Sequence, residues 1–256
     1  MRTHRREFLQ AVGAVAVGGL ALHAPRARGE RRDIEAVAFD AFTLLDGRPV
    51  AAAAERLVPG QGATLVEAWR NRLFQYSWLC VAGKRYVDFE TLSAEALSYA
   101  LSALRLDLAS DVRRSLLEAA VLLPAWPEAA SVLKELGASG RKLAFLSNFT
   151  PGMLARASRS SRLEGLVGSL STDPVRTYKP DPRAYQLAVD SFGVPKERIA
   201  FVAHAGWDAV GAAWFGFPTF WINRTNIPRE ELAAPAATTL TSLSPLPGLL
   251  AASADR

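Results

Sequence analysis

Asp40 lies near the end of the short apolar run Ile34 to Phe42, and four other polar positions fall after expected strands further along the chain: Ser147-Asn148, Lys179 and Asp208. An acid, hydroxyl and amide donors, an ammonium and a second acid form a set that can run nucleophilic displacement by a carboxylate. The cation would hold the attacking group ionised, and the second acid would manage water. Each residue also has a plainer reading. A strand-end Asp is often a turn or cap residue, and an Asp ahead of helix-forming residues, as Asp208 is, is often an N-cap. A lone Lys such as Lys179 is often a solvated charge, and Arg70 on a helix could be half of a surface ion pair. Which reading holds depends on whether the elements carrying these residues bring them together.

The run Ile34 to Phe42 has strand length and is apolar almost throughout, the pattern of a strand buried on both faces. It stops at a polar turn, Asp46-Gly47-Arg48-Pro49. From about Val50 to Leu123 strand signals nearly vanish. Leu65, Trp69, Leu73 and Tyr76 follow one helix face, a second helix is expected over Leu92 to Leu104, and a third over Val112 to Leu122 with Ser110 as its cap. From Pro124 onward strand and helix alternate. Strands are expected at Lys142 to Leu146, Leu166 to Leu170, Ile199 to Ala203 and Thr219 to Ile222. Helices are expected from Pro127-Glu128, from Thr150-Pro151, over Arg183 to Phe192 after Asp181-Pro182, and near Trp207 to Phe215. Alternation of this kind predicts an α/β fold whose parallel sheet is covered by helices on both faces. In such a sheet reacting groups gather beyond the carboxyl ends of the strands, where Asp40, Ser147, Asn148, Lys179 and Asp208 all fall. The tail from about Ala233, rich in Ala, Pro, Thr and Ser, reads as surface turn and coil.

Four ordered segments, FDAFTLLD at 39–46, LSN at 146–148, YKPDPRAY at 178–185 and GWDAVGA at 206–212, resemble the motifs of the haloacid dehalogenase superfamily. AWRNRLFQYSWL at 68–79 and KRYVDFE at 84–90 resemble, more narrowly, the helical cap of the (S)-2-haloacid dehalogenases. The likeness runs from about Ile34 to Leu243. It implies a Rossmann-like core over 33–49 and 124–245, a helical-bundle cap inserted at 50–123, and a C-terminal tail at 246–256. It also implies that Asp40 attacks C2 of a small 2-haloacid, displaces halide with inversion and forms an ester that water hydrolyses to the 2-hydroxy acid. By position, Arg70 and Asn148 match halide-cradling residues, Ser147 the holder of the substrate carboxylate, Lys179 the partner of the nucleophile, and Asp208 the acid that orients water. Phe42, Phe74, Tyr76, Phe89 and Trp207 match the apolar lining and Tyr185 a polar contact. The resemblance further favours a homodimer.

Two stretches depart from the family pattern D-x-Y-G-T-L-F-D and from its last motif. Phe42, Thr43 and Leu44 stand for Tyr, Gly and Thr, so a hydroxyl that supports the nucleophile is missing. Ala203 and Ala205 replace Ser and Asn beside the hydrolytic water, and His204 between them is expected to point away from the site as a structural residue. These losses motivate an alternative, a paralogue that binds small carboxylates with weak or no turnover. The superfamily's phosphatase chemistry needs Mg²⁺, an acid two residues after the nucleophile and further acids in the last motif. Position 42 is Phe and Asp208 stands alone in that motif. No metal or other cofactor and no phosphatase activity are therefore expected.

The net charge of +5 does not point to nucleic acid. Residues 1–32 carry seven Arg against Glu7 and Glu30, and from Asp33 onward basic and acidic residues balance at 23 each. Arg5-Arg6-Glu7-Phe8-Leu9-Gln10 followed by the apolar run Ala11 to Leu22 resembles a twin-arginine export signal over 1–29. A spanning helix needs about 20 apolar residues, more than this run supplies. The expectation is a periplasmic protein handed to the twin-arginine export machinery, with cleavage near Ala24 or Ala27, in an exported subgroup with a modified first motif. Cys80 is the one cysteine, so no intramolecular disulfide can form. Its apolar surroundings mark it as a small hydrophobe.

Overall fold

In the computed structural model, which describes residues 33–235 and 237–251, strand β1 (Ala36–Phe39) has all four residues fully buried. A strand covered on both faces has no use for alternation, which is why its sequence reads as an unbroken apolar run. Short helix α1 (Ala41–Leu44) follows, then four helices, α2 (Arg48–Leu57), α3 (Gly62–Ala82), α4 (Phe89–Ala103) and α5 (Ser110–Ala119). The chain then alternates through α6 (Ala129–Ala138), β2 (Lys142–Ser147), α7 (Pro151–Ser160), β3 (Gly168–Ser171), α8 (Pro182–Phe192), β4 (Ile199–Ala203), α9 (Gly206–Phe215), β5 (Thr219–Ile222), β6 (Thr238–Leu240) and α10 (Leu246–Ala251).

The six strands form one parallel sheet in the order β3-β2-β1-β4-β5-β6. Strand order reverses at β1, which makes its carboxyl end the natural crevice of a doubly wound sheet. Phe39 pairs with Phe145 on one side and Val202 on the other, so Asp40 leaves the sheet beside Ser147 and the end of β4. The two faces bury separate clusters. Ala36, Ala38, Phe201 and Ala203 pack with Tyr185 and Ala212, on α8 and α9. Val37, Phe39, Phe145 and Val202 pack with the helices of the insertion and with Leu133 of α6.

Several expected elements shift. Arg48 and Pro49, read as a turn, open α2, because Pro is tolerated in a helix's first turn, where its missing N–H costs nothing. The insertion therefore has four helices where the sequence pattern showed three. Ser110 begins α5 and Ala109 is the cap, with no side-chain bond. The third strand lies at Gly168–Ser171, two residues later than expected. The largest correction is the tail. Thr238–Leu240 pairs parallel with β5, and in the segment read as tail Leu246 and Leu250 are buried within α10. Arg141 Nη2 donates to Leu250 O at 3.0 Å, tying that helix to the start of β2. A three-residue strand on a sheet edge and a six-residue helix carry too little periodicity to stand out among Ala, Pro and Ser. The segment read as an export signal, 1–29, lies outside the described residues, as do 252–256.

Candidate active site

Asp40 is both a cap and the centre of the site. Its Oδ1 accepts from Phe42 N at 2.9 Å, which caps α1 and fixes the carboxyl plane, while Oδ2 accepts from Lys179 Nζ at 2.7 Å. The Lys179 ammonium also donates to Asp208 Oδ2 at 2.6 Å, and Asp208 Oδ1 accepts from the Tyr185 hydroxyl at 2.7 Å. Lys179 and Asp208 are each 1 % exposed, so neither is a solvated surface charge. Nor is Asp208 a helix cap: the cap of α9 is Ala205, and Asp208 sits inside the first turn.

Burial would lower the Lys179 pKa, but the carboxylates of Asp208 and Asp40 outweigh it and the ammonium is held more firmly charged than usual. Burial, with like-charge repulsion from Asp40, raises Asp208 to about 6 against the pull of Lys179. One ammonium shared by two acids thus leaves the pair competing for a single counterion. Helix α9 can lie against Tyr185 because residue 211 is Gly. A Cβ there would stand 2.5 Å from the Tyr185 hydroxyl oxygen and 2.7 Å from Pro180 Cβ.

Beside the carboxylates, β2 delivers its donors. Asn148 is buried and its Oδ1 accepts from Lys179 N at 3.0 Å, which leaves the amide nitrogen as the donor still available. Ser147 Oγ accepts from Phe149 N at 3.1 Å and keeps its own proton to donate. From the insertion, Arg70 is exposed and makes no ion pair or hydrogen bond among the described residues. The surface-pair reading of Arg70 has no acid to support it there. Its helical neighbour Phe74 packs against Trp207 of α9, with ring centroids 5.1 Å apart. Phe42 and Phe89 both meet Phe149, at 5.8 and 5.9 Å.

Not every expected residue belongs to this group. Tyr76 faces α4, where it meets Tyr99 at 6.3 Å under the Arg72 guanidinium. Helical geometry explains this: Leu65, Trp69, Leu73 and Tyr76 form one stripe, while Arg70 and Phe74 lie on another. Trp78, unremarked in the sequence, continues that second stripe and stands 5.5 Å from the Trp207 ring. Tyr185 is fully buried and spends its hydroxyl on Asp208, so it supports an acid where a ligand contact was expected. Thr43 does not replace the missing hydroxyl at the nucleophile. Its Oγ1 donates to the backbone carbonyl of Asp40 at 2.6 Å.

His204 is the clearest reversal. Its ring lies 5.9 Å from that of Phe42, on the sheet face that carries the insertion. Alternation does turn it opposite to Ala203, but that side is the one beside Phe42. Burial lowers its pKa, with Asp40 opposing and Arg70, Arg224 and Lys179 adding to the effect. Two further residues had no sequence signal. Trp126 Nε1 donates to Phe42 O at 3.1 Å, and Arg224, stacked on Trp126 at 3.9 Å, pairs with Glu128 at 2.7 Å. Among the described residues no group of three or more His, Cys, Asp or Glu side chains could hold a metal ion.

The arrangement can present a carboxylate held at both oxygens to an electrophile whose leaving anion meets guanidinium and amide donors. Known proteins carry related sequences. Residues 34–216 match the family model for haloacid dehalogenase-like hydrolases. An (S)-2-haloacid dehalogenase of Pseudomonas sp. (strain YL) is 39% identical over 212 residues, covering 82% of this chain and 91% of that protein. Among solved structures, the L-2-haloacid dehalogenase RSc1362 superposes with a TM-score of 0.83 at 41% identity, covering 86% of this chain and 100% of that one. The Xanthobacter autotrophicus L-2-haloacid dehalogenase with chloropropionic acid covalently bound gives a TM-score of 0.78 at 33% identity, covering 85% and 98%. The chain belongs to the haloacid dehalogenase-like hydrolases, in the 2-haloacid dehalogenase family.

Proposed function

We propose that this protein hydrolyses short (S)-2-haloalkanoic acids to (R)-2-hydroxy acids through an ester on Asp40. The observation that carries the reading is the Lys179 bridge, 2.7 Å from Asp40 and 2.6 Å from Asp208, which holds the half-buried Asp40 carboxylate in place and aims it. In the first step Asp40 Oδ attacks C2, the carbon–halogen bond breaks, and halide departs toward Arg70 and Asn148. Donors that strengthen as charge develops on the leaving atom lower that barrier. Ser147 holds the substrate carboxylate, and Phe42, Phe74, Phe89 and Trp207 exclude competing water. In the second step water attacks the ester carbonyl carbon and frees the hydroxy acid.

Halide release from (S)-2-chloropropionate, followed with mass spectrometry of the Asp40 peptide, tests this reading. Halide release from the native chain and none from Asp40→Asn is the expected result. Native protein that gives neither halide nor an ester on Asp40 would overturn it in favour of a carboxylate-binding paralogue. For the first 29 residues the reading is export by the twin-arginine machinery to the periplasm, and for assembly a homodimer. Both rest on sequence resemblance and are checked by cell fractionation with an Arg5→Lys/Arg6→Lys variant and by light scattering.

A further inference from the structure

The second step needs a group to take a proton from water, and the acid expected to do so is already engaged. Each oxygen of Asp208 accepts a hydrogen bond, one from Lys179 and one from Tyr185. Ala203 and Ala205 bring no polar side chain. His204 lies between them. Asp40 N donates to Val202 O at 2.9 Å, so the end of β4 runs directly alongside the nucleophile, and His204 is two residues further on. Its carbonyl accepts from Trp221 Nε1 at 3.1 Å, which anchors the backbone there. Its ring rests 5.9 Å from Phe42, the residue whose N–H holds Asp40 Oδ1. Within the ring, Nδ1 is buried and has no hydrogen-bond partner among the described residues. A buried polar atom without a partner is rare in folded proteins and calls for an explanation, of which a catalytic role is one.

We infer that His204 is the general base of ester hydrolysis, its Nδ1 accepting the proton of the water that attacks Asp40 Cγ. The inference rests on the dehalogenase reading above and concerns only its second step. Water oxygen bonds to Cγ while its proton passes to Nδ1, giving imidazolium and a tetrahedral oxyanion. The carbonyl then re-forms, the bond from Cγ to the substrate oxygen breaks, and the imidazolium returns its proton to that oxygen. The 2-hydroxy acid leaves, and the Asp40 carboxyl gives up its proton to solvent beside Lys179. The charged groups that act on the ring suit this use. Burial and the cations Arg70, Arg224 and Lys179 keep the imidazole neutral at the start, and the Asp40 charge opposes them. A neutral imidazole is the basic form.

Rapid-quench single turnovers with (S)-2-chloropropionate separate the two steps, reading halide for the first and lactate for the second. In His204→Asn and His204→Ala the halide burst should persist, the ester should accumulate on Asp40, and lactate release should fall by about 10²-fold or more. Added imidazole should restore part of the lactate rate in His204→Ala. In water enriched in ¹⁸O, native single turnovers should leave the label in the Asp40 carboxylate. Lactate release unchanged in both variants, or halide and lactate release falling together, would overturn the assignment while leaving the dehalogenase reading intact. A native protein that releases no halide would instead remove the reading on which the assignment rests.

Discussion

On the core side of the crevice Lys179 is buried and bonded to two carboxylates at 2.7 and 2.6 Å, while on the helical side Arg70 is exposed with no acid paired to it among the described residues. Both are cations with a proposed role in one displacement. The first is fixed by partners that the sheet delivers, and its geometry costs nothing to assemble when substrate arrives. Arg70 is placed by the helix that carries it and by the Phe74–Trp207 contact, and so is free to close on an anion. Charge that must exist before the reaction is buried and paired, whereas charge that must answer a developing anion is left open. Preorganised and adaptable electrostatics are thus assigned to different parts of the chain.

Changing Lys179 should strain this contrast most. Lys179→Met removes the counterion that the two acids share, and halide release should vanish within detection. Breaking a buried pair by removing one partner costs about 3–5 kcal/mol, so its unfolding midpoint in urea should also fall. If Lys179→Met were as stable as the native chain, the core-side site would not be tied to the fold as described. Arg70→Ala should lower halide release by about 10²–10³-fold. Its stability should stay within about 0.5 kcal/mol, as expected for an exposed side chain without an ion-pair partner. A large loss of stability there would erase the distinction between the two cations.

The smallest effect is expected at Tyr185→Phe. The lost hydroxyl donates to Asp208 and favours its ionised form. In the native chain the acid is raised to about 6, and its charged form is the one assigned to orient the water that His204 deprotonates, so hydrolysis should fall on the acid side of that pH as Asp208 takes up a proton. Without the hydroxyl, protonation becomes easier and this limb should move to higher pH by about one unit, equivalent to about 1.4 kcal/mol. The halide burst should change little, because Lys179 still serves Asp40. A limb that stays in place or moves to lower pH would show that Asp208 does not govern it.

Much of this was legible in the chain. Asp40, Ser147 and Asn148 could be placed because parallel sheets put reacting groups at strand ends, Lys179 in the loop before α8 and Asp208 inside α9 were placed by motif resemblance, and the strands Ile199–Ala203 and Thr219–Ile222 appear where the apolar pattern puts them. Misplaced residues failed for identifiable reasons. Tyr76 has the composition of a pocket residue and the phase of a packing residue, and phase decided. His204 follows the strand's alternation, but which side bears the crevice depends on where the inserted helices sit. Arg224 meets Trp126 and Glu128 only through the tertiary fold, across 96 positions of sequence in the case of Glu128, and no local pattern announces it.

The first loop shows what such long-range support permits. Each backbone carbonyl from Asp40 to Leu44 has a protein partner: Thr43 for Asp40, Leu45 for Ala41, Trp126 for Phe42 and again for Leu44, and Arg224 for Thr43. Leu44, where the family pattern has a hydroxyl, is fully buried in the apolar cluster. This turn is therefore a different solution to holding a nucleophile, built from main-chain acceptors and two distant side chains. Restoring the single family residue at position 44 would set a hydroxyl among hydrocarbon, whereas moving residues 40–46 into a relative would succeed only in the company of Trp126 and Arg224.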